Sequence, residues 1–234
     1  MDVNLCKNQA KCISTLIKLL DNKTDPDTIP AKNALGNKVL NLAKVLEPEV
    51  IKENYTMIRF LQSVFGSLCV LYIDDLLEVP DFKLLGIMQK LVVYYSEECK
   101  GVCNFWKSYL KQISLQESRE ESVKSLQEII KNLIIICLDK MLLPEDIFMD
   151  LNAVDYDADL LKEIKGQRKF FRRILKQIGA CVEAKDYWSL LNVKFMECIQ
   201  ALSTNSTDRL HWMQLEAILI SLSALLKGNI LIKL

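Results

Sequence analysis

The sequence predicts an all-α protein built as an α-solenoid, a right-handed superhelix of HEAT-like antiparallel helix pairs. Three observations predict it. Apolar residues recur at helical spacing almost everywhere, and no stretch alternates as a strand would. Glycine (7) and proline (5) are scarce in 234 residues, which leaves few turns for an all-β fold and none of the Gly-rich loops that cradle phosphates. The helices can be read as antiparallel pairs repeating at roughly 40–50 residues, a period that suits HEAT and armadillo arrays, while periodicity alone leaves a compact helical bundle open. The expected organisation is one repeat domain over 1–234, of about five helix pairs.

The elements follow in order. Val3, Cys6, Ala10, Ile13, Ile17 and Leu20 form one helical stripe, and a polar loop with two prolines runs from Asp21 to Pro30. A helix around 32–46 stops before Pro48. A longer apolar stretch over 49–78 is expected to break near Gly66. Asp81 can cap a helix carrying Leu85, Met88, Val92 and Tyr95. The next helix places Val102, Phe105, Trp106, Tyr109 and Ile113 on one face, and another runs from Val123 through Cys137 toward Pro144. The acidic stretch Asp150–Asp159 reads as a loop, followed by helices at about 159–183 and 187–202. A last helix with Leu215, Ile218, Leu219, Leu222, Leu225 and Leu226 is expected to stop at Gly228.

Composition removes several function classes. Half the residues are hydrophobic, enough for a continuous core. Lys+Arg (30) balance Asp+Glu (30), so a broadly basic nucleic-acid surface is not expected. The longest purely apolar run, Leu133 to Leu138, is far too short to span a bilayer. The start, Met1-Asp2-Val3-Asn4-Leu5, lacks a secretory pattern, so the eight cysteines are expected to be reduced thiols, most of them within apolar stripes. Cys99 and Cys103 are one helical turn apart, but no second Cys pair or histidine lies nearby in sequence to complete a zinc site.

Other constellations are weighed by the chemistry they require. Asp74-Asp75-Leu76-Leu77-Glu78 has the spacing of a Mg²⁺–diphosphate cluster in an all-helical synthase, but a second metal-binding cluster and basic clamps are missing. Asp155, Asp157 and Asp159 have the 1-3-5 spacing of a calcium loop. Leu160 stands where the required glycine should be, and Gly166 where the bidentate glutamate should be, so they read as an acidic loop able to attract a basic partner. His211, the only histidine, has no evident nucleophile beside it. Phe105, Trp106, Tyr187, Trp188 and Trp212 read as core aromatics before ligand-stacking ones. The most distinctive feature is a basic stripe: Lys165, Lys169, Arg172 and Lys176 at i, i+4, i+7 and i+11, widened by Arg168 and Arg173. It reads either as a solvated helix face or as a ridge for an acidic partner. Without interleaved exposed aromatics it is no RNA-stacking platform.

Three co-linear segments resemble one family. Phe82-Lys83-Leu84-Leu85-Gly86-Ile87-Met88 leads to Cys103-Asn104-Phe105-Trp106-Lys107-Ser108-Tyr109-Leu110. Asp155-Tyr156-Asp157-Ala158-Asp159 precedes Phe170-Phe171-Arg172-Arg173-Ile174-Leu175. His211-Trp212-Met213-Gln214-Leu215-Glu216-Ala217-Ile218-Leu219 completes the set, and Met57-Ile58-Arg59-Phe60-Leu61 extends it upstream. Their order and spacing resemble central HEAT repeats of the importin-β (karyopherin-β) superfamily, of the transportin-SR type, over about 57–227. Receptors of that superfamily are several times longer, so the chain reads as a fragment or a short divergent relative. The resemblance implies a non-enzymatic carrier in cytoplasm and nucleus, with protein cargo, no cofactor, contacts with nucleoporins and control by the Ran GTPase. Ran contacts in that superfamily lie chiefly in N-terminal repeats that this sequence does not match. The residues it points to for cargo are the basic stripe and, second, the acidic loop.

Overall fold

The structure is a computed structural model that describes residues 54–94, 99–143 and 158–232, with scattered positions between 8 and 52. The described positions between 8 and 41 are helical; the remainder of the expected helices at 3–20 and 32–46, and the loops at 21–29 and 150–157, lie outside the described residues. Among the described residues every regular element is an α-helix and none is a strand. The chain divides into two compact units, Met1–Tyr109 and Leu110–Leu234, where the sequence suggested one repeat domain.

In the first unit, α1 (Tyr55–Leu71) starts at Asn54, whose side chain accepts from the Met57 N–H at 3.1 Å. It buries Ile58, Leu61, Val64, Phe65, Leu68 and Cys69, the stripe that its sequence period demands. The expected break at Gly66 does not occur. The helix runs through Gly66 and ends at Tyr72, because Gly66 is a point of close helix contact. A Cβ there would stand 2.6 Å from the backbone carbonyl carbon of Gly101. A short α2 (Ile73–Glu78) follows, with Asp74 and Asp75 exposed. Asp81 caps α3 (Phe82–Val93) as its sequence position predicts, with one oxygen accepting from Lys83 N and Leu84 N, both at 3.0 Å.

The next helix, α4 (Cys99–Leu115), brings Phe105, Trp106 and Tyr109 into the core, with ring centroids 5.3–6.2 Å apart. Their polar atoms find backbone partners: Trp106 Nε1 donates to Met88 O at 3.4 Å and Tyr109 Oη to Leu76 O at 3.3 Å. Gln62 is fully buried, and its Nε2 donates to Leu91 O at 2.8 Å and also to Tyr94 O. It thereby satisfies carbonyls at the C-terminal end of α3 that the helix cannot satisfy itself.

In the second unit, the single helix expected over 123–137 is two: α5 (Arg119–Ser125) and α6 (Gln127–Lys140), joined at Leu126. Leu126 is buried, so the bend lets α5 stay polar while α6 turns Ile130, Leu133, Ile134 and Cys137 inward. The basic helix α7 (Ala158–Cys181) packs on α6, and its Gln167 donates to Lys140 O at 3.0 Å, closing the last turn of α6. Helix α8 (Ala184–Thr204) and α9 (Arg209–Ile232) follow, with α9 packed on α6, α7 and α8. The expected stop at Gly228 is absent: α9 continues to Ile232, since one glycine disfavours a long helix by only about 1 kcal/mol. Cys198, Leu202, Leu215 and Ile218 form the α8–α9 core, and Tyr187 Oη and Ser221 Oγ share a buried hydrogen bond of 2.6 Å.

Candidate functional site

Helix α7 has two opposed faces. Phe171, Ile174, Leu175, Ile178 and Cys181 are buried. Phe171 takes the core place; its neighbour Phe170 is half-buried and carries the Arg173 guanidinium 6.0 Å from its ring centre. At 100° per residue, Lys165, Lys169, Arg172 and Lys176 stay within one narrow strip on the opposite side. Lys165, Lys169, Arg172 and Arg173 are exposed, and Lys176 is half-buried. Lys162, exposed and three residues before Lys165, belongs to the same strip. The sequence reading missed it although the same spacing rule finds it. From Lys165 to Lys176 the row rises about 16 Å along the helix axis. Glu163 is the only carboxylate in the sequence between 160 and 182, so this face is positive with little local relief.

Arg168 stands apart from the row. Its side chain is 19% exposed, and Nη2 lies 2.8 Å from Glu216 Oε1 on α9. The approach is off the hydrogen-bond axis, and among the described residues Arg168 Nε and Glu216 Oε2 have no hydrogen-bond partner. The pair therefore ties α7 to α9 and turns Arg168 toward its neighbour, away from the role of a free ridge cation. Of the acidic loop, Asp159 is exposed in the first turn of α7, where it complements the helix dipole. Asp155 and Asp157 lie outside the described residues.

The remaining sequence candidates separate clearly. Phe105, Trp106 and Tyr187 are core residues; Trp188 and Trp212 are 39% and 44% exposed. Trp188 packs on Phe195 with centroids 5.7 Å apart, and Trp212 Nε1 donates to Ser206 O at 2.8 Å. His211 Nδ1 lies 2.8 Å from Asp208 Oδ2 at the start of α9, and its backbone N–H donates to the same carboxylate, so this is a helix-terminal pair. A cavity of about 220 Å³ between α6, α8 and α9 has Leu138, Cys198, Ala217 and Ile218 in its walls, with Lys194 and Asp139 at its rim. Lys194 is already paired with Glu197 at 3.0 Å.

Among the described residues no group of three or more His, Cys, Asp or Glu side chains is placed to hold a metal ion, and no helix is long and apolar enough to cross a membrane. Among the described residues Cys69, Cys99, Cys103, Cys137, Cys181 and Cys198 are buried and in no disulfide, while Cys12 is exposed. Burial pushes the Cys181 thiol up to about 12, and raises Cys69 further with help from the Asp81 carboxylate; neither is a poised nucleophile. The chain finds no match among models of known protein families, curated proteins or solved structures.

Proposed function

We propose that the chain is a helical protein-binding module, with the α7 basic row as the surface that takes an acidic segment of its partner. The observation that carries this reading is the row itself. Lys165, Lys169, Arg172 and Lys176 line the side of α7 opposite the buried face, and exposed Lys162 and Arg173 lengthen and widen it. Such a row supplies orientation and fast association through charge complementarity. The finer proposal is a HEAT-type superhelix acting as a nuclear-transport carrier of the importin-β superfamily, with protein cargo, nucleoporin contacts and Ran control. It rests on the co-linear segments Phe82–Met88, Cys103–Leu110, Phe170–Leu175 and His211–Leu219. The burial of their Phe105-Trp106 pair supports that reading.

The test is affinity capture from cell lysate with the wild-type chain and with Arg172→Glu/Arg173→Glu, each with and without excess Ran locked in its GTP state. Loss of captured partners in the charge-reversed chain, at unchanged helicity, supports the ridge. Displacement by Ran-GTP supports transport. Partners held equally by both chains remove α7 from the site, and partners indifferent to Ran-GTP leave a scaffold in place of a carrier.

A further inference from the structure

The thiols of Cys99 and Cys103 have no part in that binding surface, yet they are brought together in the core of the first unit. Their sulfurs are 3.7 Å apart, one turn apart on α4, at 0% and 1% exposure. Cys99 Sγ also points to Leu91 O at 3.8 Å, the carbonyl that Gln62 Nε2 holds at 2.8 Å. The pair therefore sits on an anchored helix end.

What such a pair can bind follows from its geometry. A disulfide needs Cβ atoms about 3.8 Å apart, whereas side chains four apart on a helix have Cβ atoms about 5–6 Å apart. Direct oxidation would have to unwind the turn; a bridging atom set between the sulfurs would not. Zinc requires four ligands, and among the described residues no third Cys, His, Asp or Glu joins the pair. A monovalent soft cation held by two thiolates would leave a net negative charge in an apolar interior, which is costly. The centre that meets all these conditions bonds two sulfurs at a narrow angle and ends neutral. We propose that Cys99 and Cys103 form a dithiol site for a mono-substituted trivalent arsenical. In its dihydroxy form, RAs(OH)₂, two As–S bonds form and two As–O bonds break. Each thiol proton leaves with one hydroxide as water, and arsenic stays trivalent.

The test uses the folded full chain, incubated with phenylarsine oxide, chased with excess glutathione and read by intact mass and peptide mapping. One phenylarsenic group per chain is expected to survive the chase, bridging the segment that holds both residues. Adducts on exposed Cys12 are expected to exchange away. Cys99→Ser and Cys103→Ser should each reduce the retained adduct from one to none, and Cys137→Ser should leave it in place. The proposal is overturned if the folded chain retains no adduct, if the adduct appears only in urea, or if it maps to another cysteine. Mapping on the unaltered chain decides the matter even where a serine variant fails to fold.

Discussion

Gly66→Ala is the sharpest test of how the first unit is held together. On an exposed helix face this change stabilises by about 1 kcal/mol, because alanine has less backbone freedom to lose. At position 66 the added Cβ would lie 2.6 Å from Gly101 C, 2.7 Å from Val102 N and 2.8 Å from Gly101 Cα. All three are backbone atoms, so no side chain can rotate out of the way and α1 and α4 must separate. Overpacking of this kind costs about 1–3 kcal/mol. Rigid backbone contact places this site at the upper end, so the net expectation is a loss of about 2 kcal/mol. Gly86, in α3 of the same unit, is the control: an added Cβ there meets nothing within 4 Å, so Gly86→Ala should be neutral to stabilising. Urea unfolding followed by hydrogen exchange of amides in 55–71 and 99–109 compares the two. Exchange protection in Gly66→Ala equal to or above that in Gly86→Ala would refute the close crossing.

Further expectations concern the second unit and the thiols. Tyr187→Phe removes the buried 2.6 Å bond to Ser221 and should destabilise by about 1–2 kcal/mol, while Tyr187→Phe/Ser221→Ala should cost less than the two single changes summed, as a double-mutant cycle in urea would show. Asp208 is held below its usual carboxylate value, chiefly by the His211 ring 2.8 Å away. A depressed folded-state value stabilises above the unfolded pKa and is lost as pH falls through the folded one. Protection of the first amides of α9 should therefore decline in acid below about pH 4, and Asp208→Asn should abolish that dependence. Among the described cysteines, Cys12 should react with an aromatic disulfide reagent at mildly alkaline pH in the folded chain, and the buried thiols Cys69, Cys137, Cys181 and Cys198 only on unfolding; prompt reaction of Cys181 would contradict its 2.8 Å bond to Leu110 O.

The helices and the basic row were legible in the residues themselves, because both depend on a period that one helix imposes on its own side chains. Asp81 reads as a cap for the same reason: its oxygen needs only the amides two and three residues on. The departures come where a distant neighbour decides. Gly66 is a helix breaker by propensity and a packing residue in fact, and only the backbone of Gly101, 35 positions away, makes it so. Phe170 and Phe171 are equivalent by composition; the core takes Phe171 because its angle on α7 falls on the side of buried Ile174, Leu175 and Ile178. Arg168 belongs to the basic stripe by spacing, yet Glu216, which sequence distance hides, turns it into an interhelical tie.

The helical class of this protein, the stretches that form most of its helices and the side of α7 that carries charge all follow from local residues, since local hydrogen bonding and side-chain periodicity settle those matters within a few turns. Packing alone settles which glycine is a contact, which phenylalanine is core, which arginine is neutralised and that the neighbouring thiols of Cys99 and Cys103 are buried. Each of these depends on the distance between atoms that chain connectivity leaves free and only packing brings together.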